Sequence, residues 1–101
     1  MSYRTIDEIE ERLRKTVAEF TGAPIENVVD SALLRKDLEL NPTKDSSEIP
    51  EFWEQIEDDL EIMISDEIRI PHGEMTNTTY RDLKAVVLPI ATRHWRVAVA
   101  A

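Results

Sequence analysis

Ile6, Ile9, Leu13, Val17 and Phe20 recur three or four positions apart, a spacing that lays them along one stripe of an α-helix and fits no strand. Glu8, Glu11, Arg12 and Lys15 fall elsewhere around the same helix. Thr5, with Glu8 three residues later, predicts a capping box at its start, and Thr21-Gly22-Ala23-Pro24 predicts its stop. The same period returns at Ile49, Phe52, Trp53, Ile56, Leu60 and Met63, predicting a second helix over 48–63. Pro50 is tolerated only in a first turn, so this helix begins at about Ser46 to Glu48. A third helix is signalled by Tyr80, Leu83, Val86, Val87 and Ile90 behind the candidate caps Thr76, Asn77, Thr78 and Thr79, with Pro89 obscuring its end.

Between the first two helices, Ile25, Val28, Val29, Ala32, Leu33, Leu34 and Leu38 follow no clean period. They predict a long loop lying over the core, with Pro24 able to open one helical turn. Residues 39–47 collect turn formers and predict an exposed connection. Residues 64–74 have room for one short helix before Pro71-His72-Gly73 breaks it. The expectation is an all-α bundle of three main helices plus one or two short ones. It forms a single domain over 1–101, with a core of about 5–90 and a carboxy-terminal extension over 91–101.

Composition narrows the function classes. With 21 acidic against 12 basic side chains the net charge is −9, a field that repels nucleic acid and anionic lipid and attracts basic protein surfaces. There is no cysteine, which removes disulfides, thiolate metal sites and any encoded thiol nucleophile. The opening residues lack the apolar core of a signal peptide, and no stretch reaches membrane-spanning length, so the expected compartment is the cytoplasm. His72 and His94 sit 22 positions apart in dissimilar contexts, read as a turn and a surface histidine, and no metal is assigned. Asp58, Asp59 and Glu61 lack the alternation and glycine of a calcium loop. No nucleophile elbow, phosphate-cradling glycine loop or zinc-binding histidine pair is present, so no catalytic residue is assigned and the chain is not read as an enzyme.

Three or four short helices, an acidic second helix preceded by a serine-bearing loop, and zero cysteine together resemble the acyl carrier protein family, peptidyl carrier domains included. Ile9-Glu10-Glu11-Arg12-Leu13 looks like the family's first helix, and Gly22, Glu26, Val28, Ala32, Asp37 and Leu38 then fall at its spacing. Thr79-Tyr80-Arg81-Asp82-Leu83 is similar to its closing helix, and Ile56 to Leu60 matches its aliphatic and acidic pattern, so the likeness spans roughly 5–90. The resemblance implies a non-enzymatic carrier holding acyl or aminoacyl groups as thioesters on a 4′-phosphopantetheine arm, in fatty-acid, lipid or secondary-metabolite biosynthesis. It assigns the arm to Ser46, with Asp45 as the neighbouring motif residue. It assigns docking of a phosphopantetheinyl transferase and of acyl-handling enzymes with basic patches to Glu48, Glu51, Glu54, Glu57 and Asp58. The family's Asp-Leu-Gly-x-Asp-Ser-Leu motif is broken here: Asp37-Leu38 is followed by Glu39, four additional residues precede Asp45-Ser46, and Ser47 replaces the leucine.

A hydroxyl at a helix amino end also suits a phosphodiester on physical grounds, since free backbone amides and the helix dipole favour an anion by up to about 1 kcal/mol. The bland reading of Ser46 or Ser47 is an ordinary N-cap of similar magnitude. Likewise, each acidic residue of the second helix alone is an ordinary solvated charge, and Phe52, Trp53, Ile56, Leu60, Leu83 and Val87 are first of all core, whether or not they shelter an acyl chain. The rival reading is a carrier-like interaction module that has lost the prosthetic group and binds one protein through its acidic face.

Overall fold

A computed structural model describes residues 3–38 and 48–96, with backbone alone at 48, 49, 72, 73 and 76. Three α-helices dominate it: α1 (Ile6–Thr21), α2 (Glu48–Leu60) and α3 (Tyr80–Trp95). Two 3-10 helices, Ile25–Asn27 and His72–Asn77, stand in the connections. The only strand-like feature among the described residues is one antiparallel bridge between Leu33 and Thr79. The all-α expectation holds at this level.

α1 starts where the sequence places it. Thr5 is extended, and its hydroxyl oxygen accepts the Glu8 amide at 3.2 Å. The Glu8 carboxylate meets the Thr5 hydroxyl at 3.3 Å. At the far end Gly22 takes φ +78° and returns its amide to the Ala18 carbonyl at 2.9 Å, a left-handed close for which glycine carries no Cβ penalty. Pro24 then opens the 3-10 turn Ile25–Asn27. Beyond it Val28, Ala32, Leu34 and Leu38 are buried, so the long connection does lie over the core, while Val29 stays exposed. Backbone pairing ties it to the start of α3, Leu34 amide to Thr78 carbonyl and Tyr80 amide to Ala32 carbonyl.

α2 and α3 each pack on α1. The shared interior is Ile9, Leu13 and Val17 of α1, Phe52, Trp53, Ile56 and Leu60 of α2, and Leu83, Val87 and Ala91 of α3, all essentially inaccessible. Each large aliphatic or aromatic residue so buried contributes about 1.5–3 kcal/mol. A polar seam closes the α1–α2 contact. The Asp59 carboxylate, 12% exposed, accepts the Thr16 hydroxyl at 2.6 Å and the Gln55 amide at 2.9 Å, and lies 3.2 Å from the Arg12 guanidinium.

Two boundaries differ from the sequence reading, and a third, which it left open, is set by the structure. α2 ends at Leu60, not Met63. Glu61 adopts φ +53° and the Ile62 amide reaches back to the Glu57 carbonyl at 3.0 Å, which closes the helix in a Schellman manner. Residues 62–65 belong to no helix, and Ile62 and Ile64 are buried while Met63 between them stands 87% exposed. The short helical segment of this region follows Pro71 instead of preceding it, because proline's fixed φ, here −57°, suits the entry to a helical turn. α3 runs through Pro89 to Trp95 and closes on Arg96 at φ +55°. Pro89 is exposed, so the carbonyl its missing N–H leaves unpaired, that of Ala85, belongs to the solvent side of the helix. α3 begins with a full capping box between Thr79 and Asp82.

Tyr80, 2% exposed, has a buried hydroxyl with no hydrogen-bond partner. Burial pushes its pKa well above the usual tyrosine value. Native Tyr80 thus holds its proton where the unfolded chain, titrating near 10.0, has lost it, so this part of the stability is complete below pH 10 and declines as pH rises further. Tyr80→Phe is expected to stabilise the protein by about 1 kcal/mol at neutral pH, by removing an unsatisfied hydroxyl, and to move alkaline unfolding upward. Urea titrations at pH 7 and pH 10.5 check both effects. By contrast, Phe52→Ala should cost about 3–5 kcal/mol.

Candidate functional site

The outward surface of α2 is the feature that the sequence singled out. Glu51, Glu54 and Asp58, spaced three and four apart, lie along one exposed stripe. Glu57 is employed elsewhere. Its carboxylate, 20% exposed, accepts the Ile64 amide at 2.7 Å and pairs with Arg69 at 3.0 Å, while Arg69 Nε donates to the Ile64 carbonyl at 3.1 Å. This staple fixes the extended segment after α2, and it gives Glu57 a structural task beside its assignment to the docking face. Glu48 is the first residue of α2, described by its backbone alone. Asp45 and Ser46 lie outside the described residues, three and two positions ahead of that start.

A second cluster joins the long connection to α3. Lys84 bridges Glu10 of α1, at 2.8 Å, and Asp30 of the connection, and its ammonium sits 5.2 Å from the Tyr80 ring centre. Burial pulls the Lys84 pKa down, but hydrogen bonds to Asp30 and Glu10 outweigh it and the net shift is upward. The same contact lowers the Asp30 carboxyl. Asp37, which belongs to the Asp-Leu pair of the family likeness, accepts the Leu33 amide at 2.7 Å and thereby closes its own turn.

The surface also carries a groove that the sequence did not reveal. Two hollows, about 460 and 540 Å³, share a lining of Met63, Ile90 and His94. Ile64, Ser65, Ile68 and Arg93 complete one; Glu57, Asp58, Glu61 and Ile62 complete the other. The signal that would have found it is the parity of Ile62, Met63 and Ile64, which places two residues inside and one out. Reading Met63 at helical period with Leu60 hid that pattern. Phe52, Trp53, Ile56, Leu60, Leu83 and Val87 are all in the core. Among the described residues no cluster of three or more histidine or carboxylate side chains could hold a metal ion. No helix of the described residues is long and apolar enough to cross a membrane.

No protein-family model, curated protein or solved structure matches the chain.

The separation of roles on α2 is open to a direct check. Glu57→Gln should lower the unfolding free energy by about 1–3 kcal/mol through the loss of a partly buried charged pair. Glu51→Gln, Glu54→Gln and Asp58→Asn should each stay within about 0.5 kcal/mol, as read from chemical denaturation midpoints.

Proposed function

We propose that the protein is a non-enzymatic carrier of acyl or aminoacyl groups in the cytoplasm, bearing them as thioesters on 4′-phosphopantetheine attached to Ser46. The observation that carries this reading is the start of α2 at Glu48, immediately behind Asp45-Ser46, joined to an exposed acidic stripe along the same helix. Three helices around one core, with a long connection between the first two, agree with the architecture that the acyl carrier likeness implies.

The residues next to Ser46 suit a phosphodiester. Pro50 in the first turn of α2 has no N–H, so the amides available to an anion are those of Glu48 and Ile49. The Glu48 and Glu51 carboxylates oppose it electrostatically, which leaves the covalent bond, not the helix end, to hold the group. The arm supplies the thiol that a chain without cysteine lacks. The protein's own part is to present that thiol at high effective concentration and to steer basic partners, the transferase first among them. Glu51, Glu54 and Asp58 provide the steering charge. Encounters of this kind are fast and weaken with salt.

One feature favours the second reading, an interaction module without the prosthetic group. Glu39 in place of glycine, the four extra residues and Ser47 in place of leucine alter the segment a transferase reads. Intact mass after co-expression with a broad-specificity phosphopantetheinyl transferase separates the two. The carrier gains one phosphopantetheinyl group, which Ser46→Ala abolishes and Ser47→Ala leaves in place. A chain that stays unmodified while a control carrier is loaded would establish the interaction module instead.

A further inference from the structure

The geometry points to a self-complementary docking face: the groove between the end of α2 and the last turns of α3 receives a second copy of this chain, related by a two-fold axis along the line of Met63, Ile90 and His94. This inference does not depend on the carrier reading.

Three observations carry it. The line itself is apolar and prominent, since Met63 is 87% exposed and Ile68 beside it 49%, in a chain whose other large apolar side chains are mostly buried. Met63 lies on the line that two hollows of similar volume share, about 460 and 540 Å³, so the face is divided evenly on either side of it. The flanks carry opposite charge. Asp58 stands in one hollow and Arg93 in the other, both exposed.

A two-fold axis lying along the dividing line exchanges the two flanks and turns the faces together. Arg93 of each copy then lies over Asp58 of the other, and the two Met63 side chains meet at the centre, where an unbranched thioether adapts readily. A uniformly basic partner would satisfy Asp58 and confront Arg93. A second copy sets each Arg93 over the acidic flank of the other, where Asp58 and Glu61 stand. The net charge of −9 opposes association at low salt, but at 0.15 M the Debye length is about 8 Å, so the overall repulsion is screened while contact pairs are not. The contact rests on one apolar line and two exposed ion pairs, each worth little, so the dimer is weak and concentration-dependent.

Sedimentation velocity on the full chain from about 10 µM to about 1 mM tests it. The mass should rise towards that of a dimer, Met63→Lys, Arg93→Glu and Asp58→Arg should each hold the chain monomeric, and the combined Arg93→Glu/Asp58→Arg exchange should restore association. All three positions are exposed, and circular dichroism confirms that the variants remain folded. A chain monomeric throughout assigns the groove to a partner of another kind and overturns the proposal. So does a dimer indifferent to Met63→Lys, or a double exchange as monomeric as its parents.

Discussion

The structure depends on α1 serving two neighbours at once. Its stripe of Ile9, Leu13 and Val17 is wide enough for both α2 and α3, which rest on it and scarcely meet one another. Ile62 and Ile64, which follow α2, and Met75 are buried in the same core. Helix propensity alone would not stabilise segments of 13 to 16 residues in water, so each helix draws its stability from this common interior. A disturbance in α1 therefore reaches every other element, whereas one in the outer helices is felt chiefly on its own side.

Cations are scarce in this acidic chain, and several are placed at joints. Arg12 sits at the seam between α1 and α2, Arg69 fixes the segment after α2, and Lys84 links α1, the long connection and α3. Each meets a carboxylate that is at least partly shielded, or a pair of them, where attraction is stronger than at an open surface. The consequence is a division of labour among the acids. Asp59, Glu57 and Glu10 help to hold the molecule together, and Glu51, Glu54 and Asp58 give its outer surface a negative field. The lowered Asp30 carboxyl ties this joint to acid as well as base: its contribution is present above the ordinary aspartate pKa and fades as pH falls through the lowered value.

Where local chemistry decides, the sequence was legible. Thr5, Gly22, Pro24 and Thr79 mark boundaries through their own backbone or side-chain hydrogen bonds, and all four act where the sequence places them. The end of α2 depends on distant groups. Ile62 and Ile64 find burial outside any helix, and Arg69, twelve residues beyond Glu57, rewards the turn. Pro89 left the end of α3 open for a similar reason, since packing of Val87 and Ala91 on either side carries the helix past it. The site was legible as a charge pattern on α2, but composition could not sort carboxylates that bind inward from those that face water. The groove was missed, because it joins the segment after α2, read as helix through Met63, to the last turns of α3 far away in sequence.

One contact has a consequence for biosynthesis. The Trp95 indole donates to the Leu60 carbonyl at 3.0 Å and stands edge-on to Tyr3 at 5.2 Å, while the Tyr3 hydroxyl donates to the Asp59 carbonyl at 2.9 Å. The last turn of α3 thus seals the start of α1 and the end of α2 together. A polypeptide emerging stepwise from the ribosome holds α1 and α2 in hand long before the residue that locks them arrives. Closure of the bundle waits on translation of Trp95, and until then the apolar stripe of α1 is shielded on one side only.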